Sequence, residues 1–125
     1  MHPFRAAVEA KDMDAAVALL SEDIAFRSPV VFKPYQGRAA VAPLLHAVFH
    51  VFEDFRYVRE IGAEGAADHV LVFHARVGDM ELEGSDFLHT GEDGSIDELM
   101  VMVRPLSAAL ALAKAMQAKL AAAEA

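Results

Sequence analysis

The sequence predicts an α+β fold, a cone formed by a curved antiparallel sheet wrapped around a long helix. Apolar residues spaced three and four apart, typical of helices, dominate residues 4–20 and 39–52. From residue 55 to residue 104 apolar residues instead recur at every second position, and glycine-rich turns divide this segment into four strands. Helices gathered on one side of a bent sheet leave a conical hollow.

Length and apolar content predict one domain. A chain of 125 residues is long enough for a sizeable core and too short for two, so residues 1–125 should form a single domain. Hydrophobic residues make up 55% of the chain, above the roughly 45 to 50% of typical soluble proteins. The excess indicates apolar surface on a partner subunit, in a ligand pocket, or both, and a homodimer is the simplest explanation.

Charge and composition argue against several classes of partner. With 11 Lys and Arg against 19 Asp and Glu, the net charge is -8, so neither nucleic acid nor an anionic membrane surface is expected to bind. The chain lacks cysteine, and with it disulfides, thiolate metal sites and cysteine nucleophiles. No apolar run approaches the roughly 20 residues of a membrane span, and the charged first residues do not resemble a signal peptide. We expect a cytoplasmic protein.

Two short amphipathic helices should open the chain. Asp12 is placed to cap the second helix, and Ser21–Asp23 to end it. A strand follows in which Phe26 and Ser28 face the same side, until Pro29 stops it. The apolar stripes of the two helices are Phe4, Ala7, Val8 and Met13, Ala16, Val17, Leu20.

A loop and the longest helix of the first half come next. The segment Val30–Gly37 contains proline and glycine and carries apolar side chains, which predicts a loop that forms a rim or lid. From about Ala39 a helix is predicted, with Pro43 in its first turn, where a missing N–H has little effect. Its apolar positions are Val41, Leu44, Leu45, Val48, Phe49 and Phe52.

The second half alternates as four strands and ends in a helix. Pro105 should end the sheet, and Ser107 should cap an alanine-rich helix whose apolar positions include Leu110, Ala113, Met116 and Leu120. The predicted inward faces are Phe55, Tyr57, Ile61 in the first strand, Leu71, Phe73, Ala75, Val77 in the second, Leu82, Gly84, Asp86, Leu88 in the third, and Leu99, Val101, Val103 in the last.

Asp86 is the leading candidate for a catalytic group. It is an acid among apolar residues of one strand face, and burial there would raise its pKa and make it a usable general acid or base. The alternative is a structural carboxylate held by an arginine or by backbone donors. The side chains expected around a ligand are Ser28, Tyr57, Phe26, Phe49, Leu88, Leu99, Val101 and Val103.

Other motifs give weaker indications. His46 and His50 have the i, i+4 spacing of a metal pair, but they lie opposite the apolar stripe of their helix, and only His74 or His89 could add a ligand. We therefore expect neither a metal nor a cofactor. Phosphate-binding glycine motifs are missing. The outward Phe87, Met100 and Met102 predict packing against a partner subunit.

Three stretches carry a resemblance to a known family. They are FRAAVEAKDMDAAVALLSEDIAFRSPV at the start, GRAAV at the entry to the long helix, and ELEGSDFLHTGEDGSIDELMVMVRPL at the end. The chain resembles the SnoaL-like and ketosteroid-isomerase-like group of the nuclear transport factor 2-like superfamily over nearly its whole length. This resemblance implies a cystatin-like cone, a homodimer and an apolar pocket.

The resemblance also assigns roles to single positions. In the ketosteroid-isomerase branch, an acid before the proline that ends the first strand shuttles a proton, and Ser28 stands there. A tyrosine on the first helix stabilises the oxyanion, and Phe4 stands there. The protonated carboxyl that also donates to the oxyanion matches Asp86. The expected function is thus an apolar small-molecule pocket, with Asp86 in an isomerase, cyclase or lyase reaction, or alternatively a non-catalytic binding or dimerisation module.

Overall fold

The computed structural model describes residues 1–124, and in that range the chain forms four helices and six strands. None of these helices is both long and apolar enough to cross a membrane. In chain order the elements are α1 (Pro3–Glu9), α2 (Met13–Ala18), β1 (Leu20–Arg27), β2 (Tyr35–Gln36), α3 (Arg38–Val51), β3 (Glu53–Ile61), β4 (Asp68–Val77), β5 (Met80–Thr90), β6 (Ile96–Arg104) and α4 (Leu106–Glu124).

The six strands form one open, curved sheet in the order β2-β1-β6-β5-β4-β3. The four long strands β3 to β6 form an antiparallel meander, in which each strand pairs with the next one along the chain. Strand β1 joins the far side of β6 in parallel, through pairs such as Phe26 with Leu99. The α+β fold class is confirmed, and the parallel pair is an addition, because side-chain periodicity carries no information on strand direction.

The core lies between the concave face of the sheet and the helices. Helix α1 contributes Phe4 and α3 contributes Val41 and Leu45. Strand β5 faces this core with Leu82, Gly84, Asp86 and Leu88, as the period of two predicts. At Gly84 the sheet packs so tightly that a Cβ atom would lie 2.2 Å from the ring of Phe73.

The capped second helix is confirmed, but its predicted end is wrong. Asp12 accepts a hydrogen bond from the Ala15 backbone N–H, as a cap should. Strand β1 already begins at Leu20, and Ser21–Asp23 form its solvent-facing part. The register of β1 against β6 shifts between Leu20 and Ala25, which explains why consecutive exposed residues interrupt the alternation.

The predicted roles of Pro43 and Ser107 at the starts of two helices are wrong. Helix α3 begins at Arg38, directly after Gly37 with its positive φ of 90°, so Pro43 lies in the second turn and leaves the carbonyl of Ala39 without its helical N–H donor. Helix α4 begins at Leu106, and Ser107 therefore lies inside the first turn instead of capping it.

The inward face of β3 is correct for Phe55 and Tyr57 and wrong for Ile61. The register against β4 shifts between Tyr57 and Arg59, so the residues beyond the bulge change sides. As a result Ile61 is exposed and Glu60 turns towards the first helix, where it accepts a hydrogen bond from the backbone N–H of His2.

Candidate functional site

A cavity of about 590 Å³ opens between the concave sheet face, α3, α4 and the loop after β1. Its walls are mostly apolar, with few polar groups, as is typical of small-molecule sites. The lining residues are Phe4, Phe26, Ser28, Pro29, Val30, Val31, Tyr35, Leu44, Leu45, Val48, Phe49, Phe52, Phe55, Phe73, Asp86, Leu99, Val101, Leu110, Leu112, Ala113, Lys114, Met116, Gln117 and Leu120.

One wall of the cavity consists of packed aromatic rings. Helix α3 ends at Val51 and β3 begins at Glu53, so Phe49 of the last helical turn and Phe52, the one residue between the two elements, come next to Phe55 of the strand. The ring centroid of Phe55 lies 5.1 Å from the ring centroid of Phe49 and 4.8 Å from that of Phe73. Such contacts add to the burial of the rings and fix their positions. The wall is therefore a closely packed apolar surface along one side of the cavity.

Asp86 lies at the inner, buried end of the cavity. Strand β5 turns its side chain to the concave face, and only 5% of the residue is exposed. In the sheet it stands between Leu71 and Val101. The hydroxyl of Tyr57 donates a hydrogen bond of 3.0 Å to its Oδ2 atom. Asp86 is thus a desolvated carboxyl with one neutral hydrogen-bond donor and no cationic partner among residues 1–124.

Burial controls the protonation of this pair. Loss of water around Asp86 raises its pKa to about 7, while the hydrogen bond from Tyr57 acts in the opposite direction. Burial, followed by the negative charge of Asp86, raises the pKa of Tyr57 well above its usual range. Tyr57 therefore remains a neutral donor, and near neutral pH Asp86 exists in both its protonated and its ionised form.

A charged cluster supports Tyr57 from the opposite side. The guanidinium carbon of Arg5 lies 5.9 Å from the centre of the Tyr57 ring, within the range of a cation–π contact. Arg5 is held by ion pairs to Glu9 at 3.3 Å and Glu60 at 3.5 Å. Sequence reasoning missed this support, because only the β3 bulge turns Glu60 towards α1.

The structure brings six of the nine predicted site residues to the cavity and leaves three outside it. Tyr57 reaches the cavity only through Asp86, Leu88 is buried in the core, and Val103 lies further along β6. Ser28 is at the cavity wall, where its hydroxyl oxygen accepts a hydrogen bond from the Val30 N–H. The six lining residues are Phe26, Ser28, Phe49, Asp86, Leu99 and Val101.

Helix α4 is the part of the site that the sequence analysis did not anticipate. Its predicted apolar stripe, at Leu110, Ala113, Met116 and Leu120, is the face that closes the cavity. The signal was therefore present, but a helical stripe does not tell what it covers. Of the loop predicted as rim or lid, Val30 and Val31 line the cavity, while Phe32 is almost fully exposed.

The histidines do not come together as a metal site. His50 contacts the backbone carbonyl of His46, whose ring lies 3.5 Å from Asp14. His74 and His89 contact Glu83 and Asp97 instead, each on the outer face of the sheet. Within residues 1–124 no three His, Asp or Glu side chains are grouped closely enough to hold a metal ion.

The fold and its apolar cavity define a small cystatin-like α+β protein of the nuclear transport factor 2-like class. Within that class the chain belongs to the SnoaL-like domain family, whose model matches residues 2–99. A comparison with curated proteins finds no match.

Solved structures show the same fold. A steroid delta-isomerase from Pseudomonas aeruginosa is 40% identical, with a TM-score of 0.88 over 94% of this chain and 85% of that one. An uncharacterised bacterial protein with a cystatin-like fold, from Silicibacter pomeroyi, is 36% identical, with a TM-score of 0.87 over 95% and 86%. A putative polyketide cyclase from Pseudomonas putida shares the fold at 19% identity, with a TM-score of 0.67 over 85% and 89%.

Proposed function

We propose that the protein binds an apolar small molecule in this cavity and that Asp86 acts on it as a general acid or base. The reaction would be an isomerase, cyclase or lyase step carried out by side chains. The observation that carries the proposal is one titratable carboxyl, 5% exposed, at the end of an apolar cavity. A pKa of about 7 suits a group that must both accept and return a proton near neutral pH.

The chemistry follows from the two forms of Asp86. As a carboxylate it removes a proton from the ligand carbon between a carbonyl and a carbon–carbon double bond, and the C–H electron pair is delocalised over both groups to give a dienolate. The Asp86 carboxyl then returns the proton to the far carbon of the former double bond, which shifts the double bond next to the carbonyl and regenerates the carboxylate. Tyr57 keeps Oδ2 fixed by its hydrogen bond, so Oδ1 is the oxygen available to the ligand. The aromatic wall excludes water that would compete for the proton.

The steroid delta-isomerase from Pseudomonas aeruginosa supports a fused-ring ketone as the first substrate class to test. A cavity of about 590 Å³ lies within the usual range of roughly 300 to 1,000 Å³ for ligand sites.

A non-catalytic binding module is the second candidate, and a specific observation favours it. Ser28 and Phe4 occupy the positions at which the resemblance implies an acid and a tyrosine, and neither side chain can take those roles. In the part of the chain that the structure describes, the Ser28 hydroxyl is hydrogen-bonded to the Val30 N–H and to no side chain that could act as its general base. In this alternative the hydrogen bond from Tyr57 holds Asp86 as a structural group.

Asp86→Asn separates the two candidates. It keeps the size of the side chain and removes the transferable proton. Ligands are first found by thermal unfolding against lipophilic ring compounds, polyketide fragments and steroids, because a ligand at 100 times its Kd stabilises by about 2.7 kcal/mol. Hits are then assayed for turnover, including double-bond migration in an unsaturated steroid ketone, followed by ultraviolet absorbance.

In the catalytic case Asp86→Asn abolishes turnover but still folds and still binds the hit. The matched control is Tyr35→Phe, which removes a hydroxyl of a lining residue that is not hydrogen-bonded to Asp86 and should retain turnover. Binding without turnover in the wild type would establish the binding module. If no compound of the panel binds, the proposed pocket function is wrong.

We also propose that the outer sheet face mediates a homodimer. Across β4, β5 and β6, Val70 pairs with Phe87 and Phe87 with Met100, while Val72, Ser85 and Met102 form the next row. Met102 is 53% exposed. Ion pairs flank these rows, His74 with Glu83 on one side and His89 with Asp97 on the other. An apolar centre with a polar rim is the usual anatomy of an interface.

A further inference from the structure

The two ends of the cavity differ in exposure and in charge. The inner end is made of buried residues, among them Phe4, Phe73 and Asp86. The outer end has exposed lining residues on both sides, with Val30 and Val31 in the loop after β1 facing Leu110, Lys114 and Gln117 of α4. The mouth of the cavity therefore lies between this loop and α4, whereas the Asp86 carboxyl lies among the buried lining residues.

Among the lining residues that the structure describes, Lys114 is the one cationic side chain and Asp86 is the one acidic side chain. The chain as a whole has a net charge of -8, so a lysine at the mouth stands out against an acidic surface. In the part of the chain that the structure describes, Lys114 has no carboxylate within ion-pair distance. Its charge is available to a ligand.

We infer that the pocket takes amphipathic ligands, with an apolar ring body directed inward and an anionic group, such as a carboxylate, held at the mouth by Lys114. The inference rests on the proposed pocket function and specifies its ligand class. The reverse orientation is disfavoured, because a buried anion would lose its water and meet the Asp86 carboxylate. Gln117, one turn of α4 after Lys114 in the lining, can donate a hydrogen bond to the same group.

A matched pair of fluorescent probes tests this inference. 1-Pyrenebutyrate has a flat apolar body and a terminal carboxylate, and its methyl ester has the same body without the charge. We expect the wild-type protein to bind the acid about threefold to fivefold more tightly than the ester at low salt, the range of a partly exposed ion pair. Added salt should weaken binding of the acid and leave the ester unchanged.

Variants at the mouth separate charge from packing. Lys114→Met keeps the apolar stem and should remove the preference for the acid, whereas Lys114→Arg should keep it. Lys119→Met is the control, because it removes a charge of α4 outside the cavity lining and should leave both affinities unchanged.

The outcomes distinguish this inference from the proposed function. If the ester binds and the acid binds no better, the anionic ligand class is wrong and the apolar pocket stands. If Lys114→Met weakened the binding of the acid and of the ester equally, the lysine would act through packing and the inference would be overturned. If neither probe binds, and the ring-compound panel also fails, the pocket function falls and the inference with it.

Discussion

At the residue scale, the Asp86 carboxyl should give the protein an unusual dependence of stability on pH. Its pKa is raised from an ordinary value near 4 to about 7 by burial, so the folded state favours the protonated form. Stability contributed by Asp86 is therefore complete below about pH 4, and it is lost as the pH rises to about 7. The loss is on the order of 4 kcal/mol, since each pKa unit corresponds to about 1.4 kcal/mol.

The measurement is the free energy of unfolding in urea from pH 4 to pH 8, compared between wild type and Asp86→Asn. Other carboxyls titrate in both proteins and cancel in the difference. We expect the wild type to lose stability relative to the variant across this window. Parallel curves would mean that Asp86 titrates as an exposed aspartate and would contradict its assignment as a desolvated acid.

Tyr57→Phe tests the partner of Asp86. The hydrogen bond from Tyr57 favours the ionised carboxyl, so its removal should raise the pKa of Asp86 further. The pKa can be followed by nuclear magnetic resonance of ¹³C-labelled aspartate carboxyls, and the base-dependent limb of any activity profile should move to higher pH in parallel.

Tyr35→Phe serves as the comparison for this titration. Tyr35 also lines the cavity, where its ring stacks on Phe26. The side-chain hydrogen bond that the Asp86 carboxyl accepts comes from Tyr57. The Asp86 pKa should be the same in Tyr35→Phe as in the wild type. An equal shift in both variants would point to a general loosening of the cavity.

Single residues also show how far the sequence could predict the site. The inward position of Asp86 followed from the period of two, because β5 has no bulge against β4. The pairing with Tyr57 did not follow, since it depends on two strands separated by β4 in the sheet. The contribution of α4 was also hidden, because the last helix has a recognisable stripe but no local signal of the surface it packs on.

At the scale of elements, Gly84 sets how closely β5 can pack. A Cβ atom there would lie 2.2 Å from Phe73 Cζ, and the ring also contacts Phe52 and Phe55 of the cavity wall. Gly84→Ala should therefore destabilise the protein by about 1 to 3 kcal/mol through overpacking. In thermal unfolding this amounts to a midpoint lowered by several degrees.

Ser85→Ala is the control for that substitution. It adds no atoms and lies on the outer face of the same strand. Its melting temperature should match the wild type within a degree or two. If Gly84→Ala were as stable as Ser85→Ala, the ring of Phe73 could move aside, and the aromatic wall would be less rigid than its packing indicates.

The element boundaries explain which predictions failed. Periodicity located every long helix and strand, but it assumes an unbroken register. Bulges interrupt that register in β1 and β3; they leave Glu22 and Asp23 exposed in succession and turn Ile61 outward. The start of α3 was predicted to within one residue, since the helix begins at Arg38 after Gly37. The predicted cap of α4 was wrong, because the helix already begins at Leu106 and Ser107 lies inside its first turn.

At the scale of the whole molecule, the two faces of the sheet differ in what they present. The concave face and the helices enclose the cavity, and the outer face leaves an apolar surface on β4, β5 and β6. An acidic protein with net charge -8 repels its own copies at long range, so a dimer must rely on this apolar contact. The assembly is therefore testable without touching the pocket.

Met102→Glu should convert the dimer into a monomer. The residue is 53% exposed at the β6 end of the second outer row, next to Ser85, and a twofold contact over these rows would bury the added carboxylate in an apolar interface. Light scattering at micromolar concentration should give twice the chain mass for the wild type and the chain mass for the variant. Met80→Glu, at the first residue of β5, adds the same charge away from the two outer rows and should remain dimeric. A monomeric wild type would remove the outer face as an interface, whereas a dimeric Met102→Glu would place the contact on another surface.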